Sequence, residues 1–370
     1  MAAGLVVEKF APPAFSSAEL DLGAIERLFG RTLQYAPNGR SALYRIIAAN
    51  RGWTKLLLPT YLCSSVLIPL RKAGVEPIFY DINPDDLNGD LDSLEHLAEK
   101  HSVRAALLPS MYGNPADMER AEELCRRKGI YLIDDAAQSF GARLSERPVG
   151  TFGDAGFFSI SPGKPLAGHM GAFYWSDKPD VLGHTRHDLI HYIKWLDFRI
   201  RRLNAYTSGK FLILNPLLEY GTLALTKFVD LSLDEAAPFE APILGGLLKD
   251  ALGGRFGFRQ RNFDEFDRRF SASNLFSVVR AIRGAPSNHK IVLRCVSREI
   301  ALELRKCLRV RRIYSSGGYP LLSPGNALLK NAAQIDGRIV ELPIENDEAK
   351  MKYLFDVVQE FNDGRNTDDR

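Results

Sequence analysis

Two consecutive carboxylates end an apolar run in the segment YLIDDAAQSFGA, residues 131–142. Asp134 and Asp135 would stand at the carboxyl end of a buried strand, the edge of an open α/β sheet where ligands bind. A carboxylate at that place could hold a cationic ring nitrogen of a cofactor. The alternative is that one of the two simply caps a turn, as many aspartates do.

A lysine lies in a loop of small residues in the segment GDAGFFSISPGKPLAGHMGA, residues 153–172. An isolated surface lysine is usually a solvated charge. Lys164, however, follows an apolar strand and lies between glycine and proline. An amine that is desolvated in a cleft has a lowered pKa and can form a Schiff base. Ser159, earlier in the same segment, carries a hydroxyl that could bind a phosphate.

The segment PNGRSAL, residues 37–43, is predicted to be a turn that runs into a helix. The N–H groups at the start of a helix favour a phosphate, and Gly39 allows a ligand to approach closely. Arg40 and Ser41 could add further donors. Asn-Gly turns before helices are common, so this segment gains meaning only together with the other two.

The elements that must position these residues alternate between strand and helix periods. Short apolar runs predict strands at 55–59, 76–81, 104–110, 130–134, 156–160 and 171–175. Helical spacing predicts helices at 41–50, 62–72, 91–101 and 116–127. Strands separated by such helices favour an α/β fold, with a mostly parallel central sheet and helices on both of its faces.

The final third of the chain predicts a smaller α+β unit. Its expected strands are 290–296, 310–315 and 338–344, and its expected helices are 297–308 and 346–362. We therefore expect a large α/β domain over residues 1–250 and a small C-terminal domain over residues 251–370. Two domains agree with the length of 370 residues.

A helical insertion is expected within the large domain at 178–238. Residues 188–203 place apolar side chains at helical spacing among basic ones, and the apolar segment 211–229 follows. Packing on the domain or at a dimer interface is the favoured interpretation, because helical amphipathicity mostly reflects core packing. The alternative is peripheral contact with a membrane surface through residues 186–229.

Composition excludes several classes of protein. With 45% apolar and 25% charged residues, the chain can bury a sizeable core, which excludes disordered and collagen-like chains. The net charge of +3 is spread along the chain and predicts no nucleic-acid partner. The four widely spaced cysteines predict no metal site and a reducing, cytoplasmic location. We expect neither a signal peptide nor a membrane-spanning helix.

Five motifs, in order along residues 38–175, resemble the DegT/DnrJ/StrS family of sugar aminotransferases, fold-type I enzymes that use pyridoxal 5'-phosphate. YGNPADM at 112–118 is similar to the family's YGQPADM, and DDAAQ at 134–138 is similar to EDAAQ. Residues 150–164 resemble GSFGDAGCFSF-x-P-T-K. The turn at 38–41 and the strand end LPTY at 58–61 complete the set.

This resemblance implies roles for individual residues. Lys164 would bind the cofactor covalently and move a proton, and Asp135 would pair with the pyridine nitrogen. Cofactor contacts are implied for Gly39, Arg40, Ser41, Tyr61, Asp135, Gln138, Ser159 and Lys164. The implied reaction moves an amino group, usually from glutamate, to a keto group of a nucleotide-linked sugar. Such enzymes serve surface-polysaccharide or antibiotic pathways and act as homodimers.

The chain also departs from the family pattern. Cys63 stands where the family usually has an aromatic residue that stacks on the cofactor, a part that Tyr61 could take. Arg40 replaces a threonine, GHMGA replaces GEGGA after the lysine, and no segment clearly matches the family's NYRM. Two alternatives stay open. One is sugar dehydration, for which the family carries histidine where Lys164 stands, and the other is a non-catalytic member that binds cofactor or sugar.

Overall fold

The computed structural model describes residues 22–36, 38–160, 163–166, 171–182 and 257–368. Its helices are α1 (Leu22–Phe29), α2 (Gly39–Ala49), α3 (Leu67–Ala73), α4 (Leu91–His101), α5 (Met118–Lys128), α6 (Gly257–Phe270), α7 (Arg298–Val310), α8 (Lys330–Ile335) and α9 (Glu348–Asp368). Its strands are β1 (Gln34–Ala36), β2 (Lys55–Pro59), β3 (Glu76–Tyr80), β4 (Ala105–Pro109), β5 (Tyr131–Asp135), β6 (Arg143–Leu144), β7 (Arg147–Pro148), β8 (Ala155–Ser159), β9 (Ala172–Ser176), β10 (Phe276–Val278), β11 (Lys290–Cys295) and β12 (Ile339–Pro343). Beyond residue 182, the insertion expected at 178–238 lies outside the described residues, as do its helices at 188–203 and 211–229.

The central sheet has seven strands in the order β1-β9-β8-β5-β4-β2-β3. Strands β2, β3, β4, β5 and β8 are parallel, whereas β9 runs antiparallel to both β8 and β1. The predicted α/β fold with a mostly parallel sheet is therefore confirmed. The bounds of the six predicted strands that form this sheet are correct to within one residue.

Alternate residues of the central strands are buried on opposite faces of the sheet, as the pleat of a strand requires. Leu56 of β2 packs on one face with Ile46 of α2 and Leu70 of α3. Leu57 packs on the other face with Leu94 of α4. Burial on both faces explains why β2 is an unbroken apolar run. Each fully buried leucine contributes about 1.5–3 kcal/mol to stability.

The second sheet is antiparallel, in the order β10-β11-β12, and lies wholly within the segment for which we propose a separate domain, 251–370. Phe266 of α6, Leu304 of α7 and Leu354 of α9 belong to its core. The strand expected at 310–315 is wrong. Helix α7 continues to Val310, which is 73% exposed, and of residues 310–315 only Ile313 is buried, so the segment has no alternating buried face.

Polar contacts join the two sheets. Asp81, after β3, accepts hydrogen bonds from the amides of Asn331 and Ala332 in α8, both 2.9 Å long. Arg294 of β11 donates to the carbonyl of Pro84 at 2.8 Å. Both acceptors follow the end of β3, so the C-terminal sheet is attached to the carboxyl-end edge of the central sheet.

Two surveys of the described residues bear on membranes and metals. None of the helices found there is at once long and apolar enough to cross a membrane. Likewise, within the described ranges no three His, Cys, Asp or Glu side chains come together as metal ligands. The four cysteines are free thiols.

Candidate active site

The ends of β5 and β8 meet the start of α2 at one edge of the central sheet. A Cβ atom on Gly39 would lie 3.5 Å from Ser159 Oγ and 3.5 Å from the ring of Phe157, so the first turn of α2 lies against the end of β8. Asp135, the last residue of β5, is the register partner of Phe157. The structure therefore brings Gly39, Asp135 and Ser159 together.

The start of α2 is a capped helix end with a buried hydroxyl. Asn38 Oδ1 accepts a hydrogen bond from the Ser41 amide at 3.0 Å, and its carbonyl accepts one from the Ala42 amide at 3.1 Å. Ser41 Oγ is buried and has no hydrogen-bond partner among the described residues. Arg40 is partly buried beside it. Buried hydroxyls are rarely unpartnered, and a helix start carries partial positive charge, so this place suits a phosphate.

The two aspartates of β5 point to opposite sides of the sheet, as successive residues of a strand do. Asp134 Oδ2 accepts hydrogen bonds from the amides of Gly150 at 2.6 Å and Phe152 at 3.1 Å, which tie a turn to β5. Burial raises the pKa of Asp134 to about 7. Asp134 thus holds the turn at 150–152, on the side away from Lys164.

Asp135 lies on the same side as the loop lysine. Its Oδ1 accepts a hydrogen bond from the Ala137 amide at 2.9 Å. Burial raises the pKa of Asp135 to about 6, and the positive charge of the nearby Lys164 opposes part of this rise. At neutral pH the carboxyl group is therefore mostly ionised, and a second cation beside it would lower its pKa further.

Lys164 lies in the loop between β8 and β9 and is partly buried. Burial lowers the pKa of its amine, while the acidic groups of Cys63 and Asp135 raise it in part. Arg259 of α6 donates to the carbonyl of Pro165 at 3.0 Å, which anchors the lysine loop to the C-terminal part of the chain. A lowered pKa increases the neutral fraction of the amine, the form that acts as a nucleophile or base.

Gln138 and Tyr61 are both buried near this edge. Gln138 Nε2 donates to Met111 Sδ at 3.6 Å. The Tyr61 hydroxyl is 2.7 Å from that of Tyr112 and accepts a hydrogen bond from the Tyr319 amide at 3.3 Å. The rings of Tyr61 and Tyr319 pack edge to face, with centroids 5.9 Å apart. Tyr61 therefore belongs to a tyrosine cluster, and its contact with a cofactor stays a prediction.

The sequence analysis missed a buried ion pair contributed by the C-terminal sheet. Glu341 of β12 accepts hydrogen bonds from Lys290 and Ser316, both at 2.6 Å, and from the Tyr112 hydroxyl at 2.9 Å. Burial raises the pKa of Glu341, but Lys290 and these hydrogen bonds lower it by more. Lys290 also lowers the pKa of Lys164. The signal in the sequence was a carboxylate inside the apolar run RIVELPI.

Comparisons with known proteins match the central part of the chain. Residues 38–181 match the DegT/DnrJ/EryC1/StrS aminotransferase family. The GDP-perosamine synthase of Vibrio cholerae is 26% identical over 148 residues, which are 39% of this chain and 40% of that protein. The GDP-4-keto-6-deoxy-D-mannose 3-dehydratase of Yersinia pseudotuberculosis is 33% identical over 105 residues, 28% of this chain and 27% of that protein. The matched segments thus span less than half the length of these relatives.

The fold is similar over a longer part of the chain. The crystal structure of a DegT DnrJ EryC1 StrS aminotransferase from Brucella abortus superposes with a TM-score of 0.67 at 18% sequence identity. The superposition covers 92% of this chain and 89% of that chain. This likeness shows that both have the same fold, as the motifs implied. The comparisons therefore show a chain whose residues 38–181 are similar in sequence to the DegT/DnrJ/EryC1/StrS aminotransferase family and whose fold is that of the Brucella aminotransferase.

Proposed function

We propose that this chain is an aminotransferase that uses pyridoxal 5'-phosphate to move an amino group from glutamate to a keto group of a nucleotide-linked sugar. The pathway would be surface-polysaccharide or related amino-sugar biosynthesis. The observation that carries the proposal is the electrostatic interaction between Asp135 and the Lys164 amine, at the edge where α2 begins. A cytoplasmic homodimer is part of the same proposal.

The described residues fit the three chemical parts of pyridoxal 5'-phosphate. The start of α2, with Gly39, Ser159 and the buried Ser41 hydroxyl, suits the phosphate. The ionised Asp135 suits a protonated pyridine nitrogen, and Lys164 suits the aldehyde carbon. When bound, the cofactor supplies an electron-poor ring that takes up the electron pair left as a substrate carbon loses its proton.

Asp135 and Lys164 would divide the remaining chemistry between them. Asp135 keeps the proton on the ring nitrogen, because a buried carboxylate next to a cation favours the charged pair. Lys164 Nζ would take the proton from the substrate carbon that bears the amino group and would deliver it to the cofactor carbon that had carried the aldehyde, rather than back to the carbon it left. A base works best when its pKa lies near the working pH, and burial moves the pKa of Lys164 in that direction.

Sugar dehydration is the second candidate. It is favoured by one observation, the name of the Yersinia relative, which is called a 3-dehydratase. The resemblance implies histidine at the lysine position in members specialised for dehydration. Because Lys164 stands there in this chain, amino transfer is the better-supported proposal.

Visible absorption of the purified protein with pyridoxal 5'-phosphate tests the proposal. We expect a yellow band that borohydride traps on Lys164 and that glutamate bleaches. Lys164→Ala should abolish the band, whereas Lys178→Ala, at a lysine whose side chain is 51% exposed, should keep it. A wild-type protein without the band would favour a non-catalytic binding protein. A band that glutamate does not bleach would favour sugar dehydration, or a different amino donor, over the proposed transfer from glutamate.

A further inference from the structure

Residues 287–289 form a polar segment that contacts the turn after β4, close to the candidate active site. The Ser287 amide donates to the carbonyl of Gly113 at 3.1 Å, and a Cβ atom on Gly113 would lie only 2.2 Å from Ser287 Oγ, so the two segments are in tight contact. Asn288 Nδ2 then donates to Gln260 Oε1 of α6 at 2.7 Å. His289 follows directly and is fixed between these contacts and the start of β11.

His289 is buried, and its ring approaches the Tyr112 carbonyl without reaching hydrogen-bonding geometry. His289 is 5% exposed, and neither of its ring nitrogens has a hydrogen-bond partner among the described residues. The same holds, within the described part of the chain, for Ser287 Oγ. A buried polar group left unpartnered costs about 1–3 kcal/mol. Unpartnered polar atoms so close together indicate a place that a ligand or water completes.

The positive charges of Lys290, Arg259 and Lys164 act on the imidazole ring of His289. Burial lowers its pKa well below the ordinary value, and Lys290, Arg259 and Lys164 lower it further, while the Tyr112 carbonyl raises it in part. The ring is therefore neutral at physiological pH and offers one N–H donor. A donor on which positive charges act attracts an anion.

We propose that His289 and Arg259 bind the α-carboxylate of the amino donor, an inference that rests on the proposed function. Arg259 donates to the carbonyl of Pro165, the residue after Lys164, and this position decides the class of anion. In an amino acid, the α-carboxylate is bonded to the carbon whose proton Lys164 would move. In a nucleotide sugar, the diphosphate is separated from the keto carbon by part of the sugar ring. A guanidinium and an imidazole N–H supply the charge-assisted hydrogen bonds that hold carboxylates.

Single-turnover bleaching of the visible band measures the donor site in the loaded protein. Wild type should need at least about tenfold more L-isoglutamine, the α-amide of glutamate, than glutamate for half-maximal bleaching. His289→Leu should need about tenfold more glutamate than wild type and should lose most of this discrimination. Its affinity for pyridoxal 5'-phosphate should be unchanged. His96→Leu, at an exposed histidine of α4, is the matched control.

A titration of the wild-type protein needs no variant to fold. NMR of ring-labelled histidine should show that 2-oxoglutarate raises the pKa of His289, because a bound carboxylate stabilises the imidazolium. The His96 signal should not move. A His289 signal that 2-oxoglutarate leaves unchanged would overturn the inference, and so would equal discrimination between glutamate and L-isoglutamine in wild type and His289→Leu.

The two proposals fail in different ways. If pyridoxal 5'-phosphate gives no visible band with the wild-type protein, the proposed function fails, and the titration with 2-oxoglutarate still tests the carboxylate site. If the band forms and glutamate bleaches wild type and His289→Leu alike, the function stands and the carboxylate site is wrong. A variant that keeps donor affinity and loses only the keto-sugar reaction would assign the anion site to the sugar phosphate and also overturn the inference.

Discussion

The carboxyl-end edge of the central sheet and the junction between the two sheets both bury polar side chains, but they pair them differently. At the junction, Glu341 accepts three hydrogen bonds, from Lys290, Ser316 and Tyr112. At the edge, Ser41 Oγ has no partner among the described residues. Buried polar groups cost free energy unless they are satisfied, so we infer that a ligand supplies the missing partner at the edge.

This difference separates structural from chemical roles more clearly than residue type does. Asp134 and Asp135 are neighbours of the same type in one strand, yet Asp134 accepts two backbone hydrogen bonds from a turn and Asp135 faces Lys164. We therefore expect substitutions at the edge to change the reaction and substitutions at the junction to change stability.

Asp135→Asn should produce the largest effect on the reaction. An amide carries no negative charge to keep the ring nitrogen protonated, so amino transfer should fall by at least about 100-fold. Cofactor affinity and the melting temperature should change little, because the amide oxygen can still accept the hydrogen bond of the Ala137 amide. Steady-state kinetics beside a cofactor titration checks this split.

Asp134→Asn is the control for that experiment. It makes the same chemical change one residue away, on the opposite side of β5, and should leave most of the rate. Equal losses in both variants would mean that the rate follows the total charge of the strand end, and the comparison between the two aspartates would collapse.

Glu341→Leu should produce the largest effect on stability. Lys290 would remain largely buried without its carboxylate, and breaking a buried pair in this way costs about 3–5 kcal/mol. The double variant Glu341→Leu/Lys290→Met should recover most of the loss. Urea unfolding measures the free energy of unfolding of both variants. Lys352→Ala, which breaks an exposed pair with Asp356, is the control and should cost under about 1 kcal/mol. A single-variant loss as small as the control's would show that the junction is not held by this pair.

A pH titration of stability sharpens the contrast for Asp134. Its folded pKa is about 7, above the ordinary value of 3.8, so between these values the folded state binds more protons than the unfolded state. Stability should therefore fall as the pH rises from 4 to 8. Asp134→Asn should remove about 4 kcal/mol of this dependence. Parallel unfolding curves of wild type and variant across that range would contradict the raised pKa.

The sequence predicted helices and strands best where a single hydrophobic period runs through the whole element. The strands of the central sheet are unbroken apolar runs between helices, and their bounds were predicted well. The three-residue strand β1 is too short to show a hydrophobic period. Residues 310–315 resemble a strand in sequence, although they begin at an exposed helix end. Helix α6 was missed as well, although three phenylalanines on its buried face have helical spacing.

The candidate site also has a part that the sequence predicts and a part that it does not. Lys164 and Asp135 could be paired in advance, because both follow strands that end at the same edge. The family resemblance implied Asp135 rather than Asp134, whereas the residues alone left that choice open, because the direction of each side chain depends on the strand's register. Four side chains that act on this region come from the C-terminal part of the chain: His289, Arg259, Lys290 and Glu341. Their approach to Lys164 depends on the packing between the two sheets, which no local sequence pattern encodes.

Gly39→Ala should have the smallest effect and is the finest test of the edge. The added Cβ would lie 3.5 Å from its nearest neighbours, an ordinary contact, and alanine favours a helix over glycine by up to about 1 kcal/mol. The melting temperature of the cofactor-free protein should therefore stay the same or rise. The same methyl group would occupy space next to Ser159 Oγ, where we place the phosphate, so affinity for pyridoxal 5'-phosphate should fall several-fold. Gly364→Ala, at an exposed glycine of α9 where an added Cβ would meet nothing within 4 Å, should leave the cofactor affinity unchanged. If Gly39→Ala bound the cofactor as tightly as wild type, the phosphate would have to lie elsewhere along the edge, and the unpartnered Ser41 hydroxyl would need another explanation.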